Sequence, residues 1–171
     1  MQQVMSGHLK TDEGEMLSWM LSKAATTNSA IAGSLMVAEN GLFFNRFYFV
    51  EPNGTFHTYN KRHRFTLAGE HHVYERGDKQ VIVNFKGWNI LLQVCYDLRF
   101  PVFSRNTSNY DVVLYVANWP KKRIFAWDTL LKARAIENMC YCIGVNRVGL
   151  DGNNYELIKK RFYYDLTVLG I

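Results

Sequence analysis

The stretch Asn89-Ile90-Leu91-Leu92-Gln93-Val94-Cys95-Tyr96-Asp97-Leu98-Arg99-Phe100-Pro101 runs a short apolar strand directly into a cysteine. Asn89 to Val94 reads as a buried strand, and Phe100 to Asn106 suits a short helix with Pro101 in its first turn, where a missing N–H costs nothing. Cys95 therefore stands at the junction of a strand and a tight turn. Downstream, Asp111 to Ala117 is a nearly continuous apolar run, the pattern of a strand covered on both faces. Ile124 to Met139 places Ile124, Trp127, Leu131 and Ala135 on one helical stripe, and Tyr141 to Val148 returns as a strand. Strand, helix, strand, helix, strand predicts helices layered on a sheet, an α/β fold.

Upstream, Glu15 to Ala25 sets Met16, Leu17, Met20, Leu21 and Ala24 on one helical face behind the acidic pair Asp12 and Glu13. Asn40-Gly41 is a strong turn pair between the apolar run 30–38 and the aromatic-rich run 42–50, so a hairpin is predicted there. Pro52-Asn53-Gly54 turns the chain into a strand over 55–59 that ends at Asn60 and Lys61. Residues 60–78 show no period and read as a long loop, a kind of segment that is usually functional within a compact domain. Gln80 to Phe85 alternates, and Gly87-Trp88 is read as the turn that follows it. The run 155–171 is apolar and aromatic, with no recognisable strand partner in the sequence.

Composition bounds the function classes. The 171 residues are long enough for one core, and 48% hydrophobic with 20% charged residues is ordinary globular usage. No apolar stretch approaches the roughly 20 residues needed to cross a bilayer, and the first ten residues lack the apolar centre of a secretory signal. A cytoplasmic protein without a membrane partner is expected. Three cysteines, Cys95, Cys140 and Cys142, point to free thiols rather than a disulfide framework, and their spacing lacks a zinc ligand set. The net charge of +5 is scattered apart from Lys121 to Arg123 and Lys159 to Arg161, short runs that read as solvated faces. Aromatics within apolar runs belong to a core, so nucleic acid is not an expected partner.

The elbow at Cys95 has chemical content of its own. A thiol at the end of a buried strand is exposed at the sheet edge, and the turn aims backbone N–H groups at the same spot, where an oxyanion needs donors about 3 Å away. The thiol becomes a strong nucleophile only when a cation or base favours the thiolate. Lys61 is the candidate cation. By chemistry alone, a small buried cysteine and a surface lysine are the better reading, because most free cysteines are core residues.

Four stretches resemble the nitrilase superfamily of carbon-nitrogen hydrolases, its omega-amidase-like branch above all. They are Tyr59-Asn60-Lys61-Arg62-His63, the segment from Val94 to Pro101, Tyr115-Val116-Ala117-Asn118-Trp119-Pro120, and Arg134-Ala135-Ile136-Glu137-Asn138 followed by Gly144-Val145-Asn146-Arg147-Val148-Gly149. The resemblance covers 16–154 best and implies an alpha-beta-beta-alpha sandwich, here one partial domain over 1–171 that is incomplete at both ends. It implies a Glu, Lys, Cys catalytic set that hydrolyses a small amide without metal or cofactor, in an assembly compatible with a homodimer. Cys95 matches the nucleophile, Lys61 the lysine that stabilises the oxyanion together with the Tyr96 backbone N–H, and Glu70 a second glutamate that positions substrate and lysine. The expected substrate is the omega-amide of a dicarboxylic keto acid, cleaved with release of ammonia.

Other matches are less sharp. Asn118 and Trp119 resemble pocket-wall positions, with strand-end packing as the alternative. Asp97 and Arg99 are expected to pair across the turn, the alternative being Arg99 on a substrate carboxylate. Arg134 and Glu137 are expected to pair on α-helical spacing. Cys140 and Cys142 are expected in the core, and His63 as a hydrogen-bonding support. The first glutamate of the set, the general base, closes an early strand in a Pro-Glu stretch in the family, and no such stretch is found here. Glu13, Glu15 and Glu39 fall at a helix start or beside a turn, so the role is not carried over to them. A truncated or frame-shifted gene is the simplest account at this stage, and the competing expectation is an impaired chain acting as a non-enzymatic interaction protein.

Overall fold

The computed structural model describes residues 13–152 and 154–157, and the backbone alone for 161–164. The chain forms two compact units, 1–79 and 80–171.

In the first unit, α1 (Glu13–Thr27) precedes a three-stranded antiparallel sheet of β1 (Ile31–Glu39), β2 (Leu42–Val50) and β3 (Phe56–Asn60), in the order β1-β2-β3. The hairpin turn is the one the sequence predicts. Glu39 faces Leu42, and both central residues have positive φ, 52° at Asn40 and 78° at Gly41. That is the mirror-image turn whose twist matches the flanking strands, and asparagine and glycine adopt it at least cost. α1 lays Met20 and Ala24 against Val37, Tyr48 and Val50, with Leu17 and Leu21 at the margin. Four of the five stripe residues read from the sequence make its packing face, whereas Met16 is exposed.

The second unit is built on a five-stranded sheet in the order β10-β7-β6-β5-β4, from β4 (Ile82–Phe85), β5 (Trp88–Val94), β6 (Val112–Ala117), β7 (Tyr141–Asn146) and β10 (Arg161–Tyr164). β5, β6 and β7 are parallel; β4 and β10 flank them antiparallel. α2 (Pro101–Ser104) follows β5, and α3 (Ile124–Asn138) crosses between β6 and β7. Trp127, Leu131 and Ala135 of α3 are fully buried in a core with Leu91, Val113, Tyr115 and Cys142. The stripe predicted for this helix is again the buried one. Gly144 lets the helix come close, since a Cβ there would stand 2.5 Å from Leu131 Cδ1 and 2.8 Å from Trp127 Cζ2.

Two readings need correction. Trp88 is not in a turn: Lys86 and Gly87, both with positive φ, make the turn, and Trp88 opens β5 opposite Phe85. The run after 155 is not without partners. β9 (Glu156–Leu157) pairs with β8 (Gly149–Leu150), and β10 pairs with β7 in the register Arg161 to Val145 through Tyr164 to Cys142. Aromatic residues suit a strand, but the partner is fixed only when the intervening hairpin folds back.

Candidate functional site

Lys61 follows the last residue of β3 and enters the long loop. Its backbone is held on both sides: its N–H donates to the Asn45 carbonyl (2.9 Å), and its own carbonyl accepts the Gly77 N–H (2.9 Å). Gly77 must lack a side chain, because a Cβ would fall 2.0 Å from the Asn60 carbonyl oxygen. Arg46 on β2 adds a further tie, donating through Nε to Asn60 Oδ1 (2.7 Å) while pairing with Glu39. The loop thus delivers Lys61 with little freedom.

The Lys61 side chain is only 2% exposed, and a buried ammonium requires a partner. Glu70 supplies it, with Nζ donating to Oε2 at 2.6 Å. The same oxygen accepts the Phe65 N–H (2.7 Å), and the Glu70 backbone is locked by bonds from its N–H to the Phe65 carbonyl and from the Tyr74 N–H to its own carbonyl. Two single-turn 3-10 segments, Thr66–Ala68 and Glu70–His72, joined at Gly69 with φ 77°, bend the loop to do this. Burial, and then the Glu70 charge, push the Tyr74 hydroxyl up to about 12, so it stays protonated beside the pair. The sequence reading of Lys61 and Glu70 as neighbours in space is what the first unit shows. His63 lies half-buried in the same loop.

Cys95 opens a single 3-10 turn, Cys95–Arg99, immediately after β5. Its φ is +47°, a left-handed conformation that a non-glycine residue adopts at a cost and that clusters at functional sites. The elbow inferred from the sequence is present. Val94, one residue earlier, is paired with Val116 in the parallel ladder, so the strained residue sits where regular structure stops.

Asp97 and Arg99 find different partners from the pairing expected across the turn. Asp97 is fully buried, and its Oδ2 accepts the Val94 N–H at 3.0 Å, which closes the turn back onto its own strand. Arg99 is exposed, with its guanidinium 5.3 Å from the centre of the Trp119 ring. A carboxylate inside the turn can satisfy a backbone donor that no exposed arginine can. Tyr96 is half-buried with its ring edge-on to Phe100.

Asn118 is exposed at the end of β6, whereas Trp119 is buried. The Trp119 indole N–H donates to the Arg123 carbonyl (2.7 Å), its ring lies 5.2 Å from that of Trp127, and its backbone N–H donates to Asn146 Oδ1 (2.6 Å). Lys121 to Arg123 are exposed, as expected of a solvated face. An open groove of about 330 Å³ lies against Lys121, Lys122, Tyr155 and Glu156, with Lys121 paired to Glu156 and Lys122 over the Tyr155 ring. Among the described residues no group of three or more His, Cys, Asp or Glu side chains is placed to hold a metal ion. None of the described helices is long and apolar enough to cross a membrane.

The three thiols differ in setting. Cys140 and Cys142 are buried in the core, and burial pushes the Cys140 thiol up to about 12 and Cys142 well above its ordinary value. Cys95 is partly exposed. Iodoacetamide attacks the thiolate, so at pH 8 Cys95 is expected to be alkylated at least about tenfold faster than either core thiol. Peptide mass mapping of folded protein after timed labelling checks this, and equal labelling of all three would remove Cys95 from consideration as a nucleophile.

Residues 5–164 match the carbon-nitrogen hydrolase family. The chain is 53% identical over 141 residues to the omega-amidase YafV of Escherichia coli strain K12, a match covering 82% of this chain and 55% of that protein. It is 32% identical over 151 residues to the 2-oxoglutaramate amidase of Bacillus subtilis, covering 85% and 58%. A CN-hydrolase superfamily protein of Xanthomonas campestris, solved with an arsenic adduct in its active site, superposes with a TM-score of 0.87 at 42% identity over 91% of this chain and 62% of its own. The chain spans about half the length of the curated relatives it matches.

Proposed function

The chain belongs to the carbon-nitrogen hydrolase family, and from that premise we propose that the protein cleaves the C–N bond of a small amide through a Cys95 thioester. The observation that carries the reading is the strained elbow: a partly exposed thiol at φ +47°, at the end of a parallel strand, in a turn closed by Asp97. The roles of a single carbon-nitrogen hydrolase domain are assigned to Cys95 as nucleophile, Lys61 as the cation for the oxyanion and Glu70 as the partner that holds Lys61. The assignment is cytoplasmic, and the substrate is the omega-amide of a dicarboxylic keto acid, the class to which the names of the E. coli and B. subtilis relatives point.

In the first half-reaction the Cys95 sulfur attacks the amide carbon, and the carbonyl oxygen becomes an oxyanion held by the Lys61 ammonium and the Tyr96 N–H. Glu70 keeps Lys61 in place. Collapse breaks the C–N bond, and the nitrogen takes up the proton that the Cys95 thiol gave up and leaves as ammonia. Water then adds to the thioester, and a second collapse returns the thiol and releases the acid. Arg99, the last residue of the turn, and Asn118, just past β6, are the residues assigned to the distal carboxylate, with the Arg99 guanidinium over the Trp119 ring.

The test is ammonia release. Purified protein is offered the omega-monoamides of 2-oxoglutarate and 2-oxosuccinate beside glutamine and a simple aliphatic amide. The keto-acid amides are expected to be hydrolysed with kcat/KM at least about a hundredfold above the aliphatic amide, since a substrate group that pairs with a built polar site discriminates strongly. Equal rates would refute the substrate class. No ammonia from the 171-residue chain, with ammonia from the same chain carrying an added N-terminal strand that ends in Pro-Glu, would favour the second reading, an impaired chain. That reading draws on Glu39 being paired with Arg46 and on Glu15 lying exposed on α1.

A further inference from the structure

A left-handed cysteine persists only if its surroundings hold it there. The turn Cys95–Arg99 is held at its start by Asp97, which takes the Val94 N–H, and internally by the Phe100 N–H on the Asp97 carbonyl (3.0 Å). That leaves the Leu98 carbonyl facing inward, beneath a residue that is fully buried. A buried carbonyl needs a donor. The donor comes from α3: Arg134 Nη2 lies 2.6 Å from the Leu98 oxygen.

Arg134 is unusual for its place. It is 3% exposed on a helix face whose other buried members include Trp127, Leu131 and Ala135. An arginine there adds a charge that must be desolvated, so packing alone does not explain it. Its second arm, Nη1, donates to Glu137 at 2.7 Å one turn along the helix, which neutralises the charge and aims the fork at Leu98. The next residue, Asn138, accepts the Asn106 N–H (2.8 Å) through Oδ1 and donates through Nδ2 to the Arg134 carbonyl (3.0 Å). One face of α3 therefore grips the segment after Cys95 at two points, Leu98 and Asn106. We propose that Arg134 is a positioning residue for the Cys95 elbow, acting through the Leu98 carbonyl to fix the sulfur and the Tyr96 N–H relative to each other.

The inference rests on the amidase reading for its consequence in catalysis, but the placement of the thiol can be read without any substrate. A displacement of about 1 Å at a reacting group costs on the order of a hundredfold. Lysine keeps the charge of arginine but not the planar fork, so it cannot serve Leu98 and Glu137 together. R134K is expected to lower kcat for the omega-amide about ten- to a hundredfold with KM changed by less than about threefold, because the lost interaction acts on the transition state. Iodoacetamide alkylation of Cys95 is expected to slow at least about fivefold, with Cys140 and Cys142 still protected as evidence of an intact core. R134M, which removes both donors, is expected to lose more of both.

A lower melting temperature with unchanged kcat and unchanged Cys95 alkylation would make Arg134 merely structural and overturn the proposal. If neither change at 134 gives folded protein, E137Q decides it at a half-exposed position: alkylation of Cys95 is expected to slow at least about threefold as the fork loses its anchor, and an unchanged rate counts against the proposal. If the wild-type protein releases no ammonia while R134K still slows alkylation, the amidase reading fails and the positioning role stands.

Discussion

Replacing Cys95 by alanine is expected to reduce ammonia release at least about ten-thousandfold, in keeping with the loss when a covalent nucleophile is removed. The thermal midpoint is expected to move by only a few degrees, because the side chain is small and partly exposed at the margin of the core. Alanine keeps the same backbone at φ +47°, so the strain of the elbow stays while the chemistry goes. Serine is expected to behave like alanine in rate, since a hydroxyl is far harder to ionise than a thiol. The check is initial-rate ammonia release with an equal-concentration melting curve. Activity in C95A above about one part in a hundred of wild type would show that another group performs the attack, because no positioning effect leaves that much after loss of the nucleophile.

The elbow is legible in the sequence because two independent signals meet there, a largely apolar run up to Val94 and the tight turn before the short helix that Pro101 opens. The hairpin at Asn40-Gly41 and the stripe of α3 were legible for the same reason, since turn chemistry and helical period are local and each is written in fewer than about 20 residues. What holds the elbow was not. Asp97 was read as a partner for Arg99 because charges two apart invite pairing, whereas the fold gives the carboxylate a backbone N–H inside the turn. Arg134 was read as the partner of Glu137, which is correct, but the bond to Leu98 spans 36 residues and no periodicity announces it. The pairing of β10 with β7 is not legible in the sequence for the same reason. Contacts that join distant segments depend on the completed sheet, and their signature in one sequence is at most an odd residue out of place, as an arginine is on an apolar stripe.

Lys61 calls for a pair of substitutions rather than one, because its charge has two duties that a single change confounds. K61M removes the cation proposed to meet the oxyanion, and loss of one such donor typically lowers kcat by about a hundred- to a thousandfold. It also strands Glu70, whose Oε2 is left with the Phe65 N–H alone in a largely buried place, and an uncompensated partner of a buried ion pair destabilises by about 3–5 kcal/mol. Loss of activity in K61M by itself therefore does not distinguish chemistry from unfolding. The double variant K61M/E70Q separates the two. A neutral glutamine can still accept the Phe65 N–H and leaves no buried charge, so most of the lost stability is expected to return, by at least about 2 kcal/mol in urea denaturation. Activity is expected to stay at the K61M level, because the oxyanion still lacks its cation. Recovery of ammonia release along with stability in the double variant would mean that Lys61 only balances Glu70, and the oxyanion role would pass to the backbone donors of the elbow.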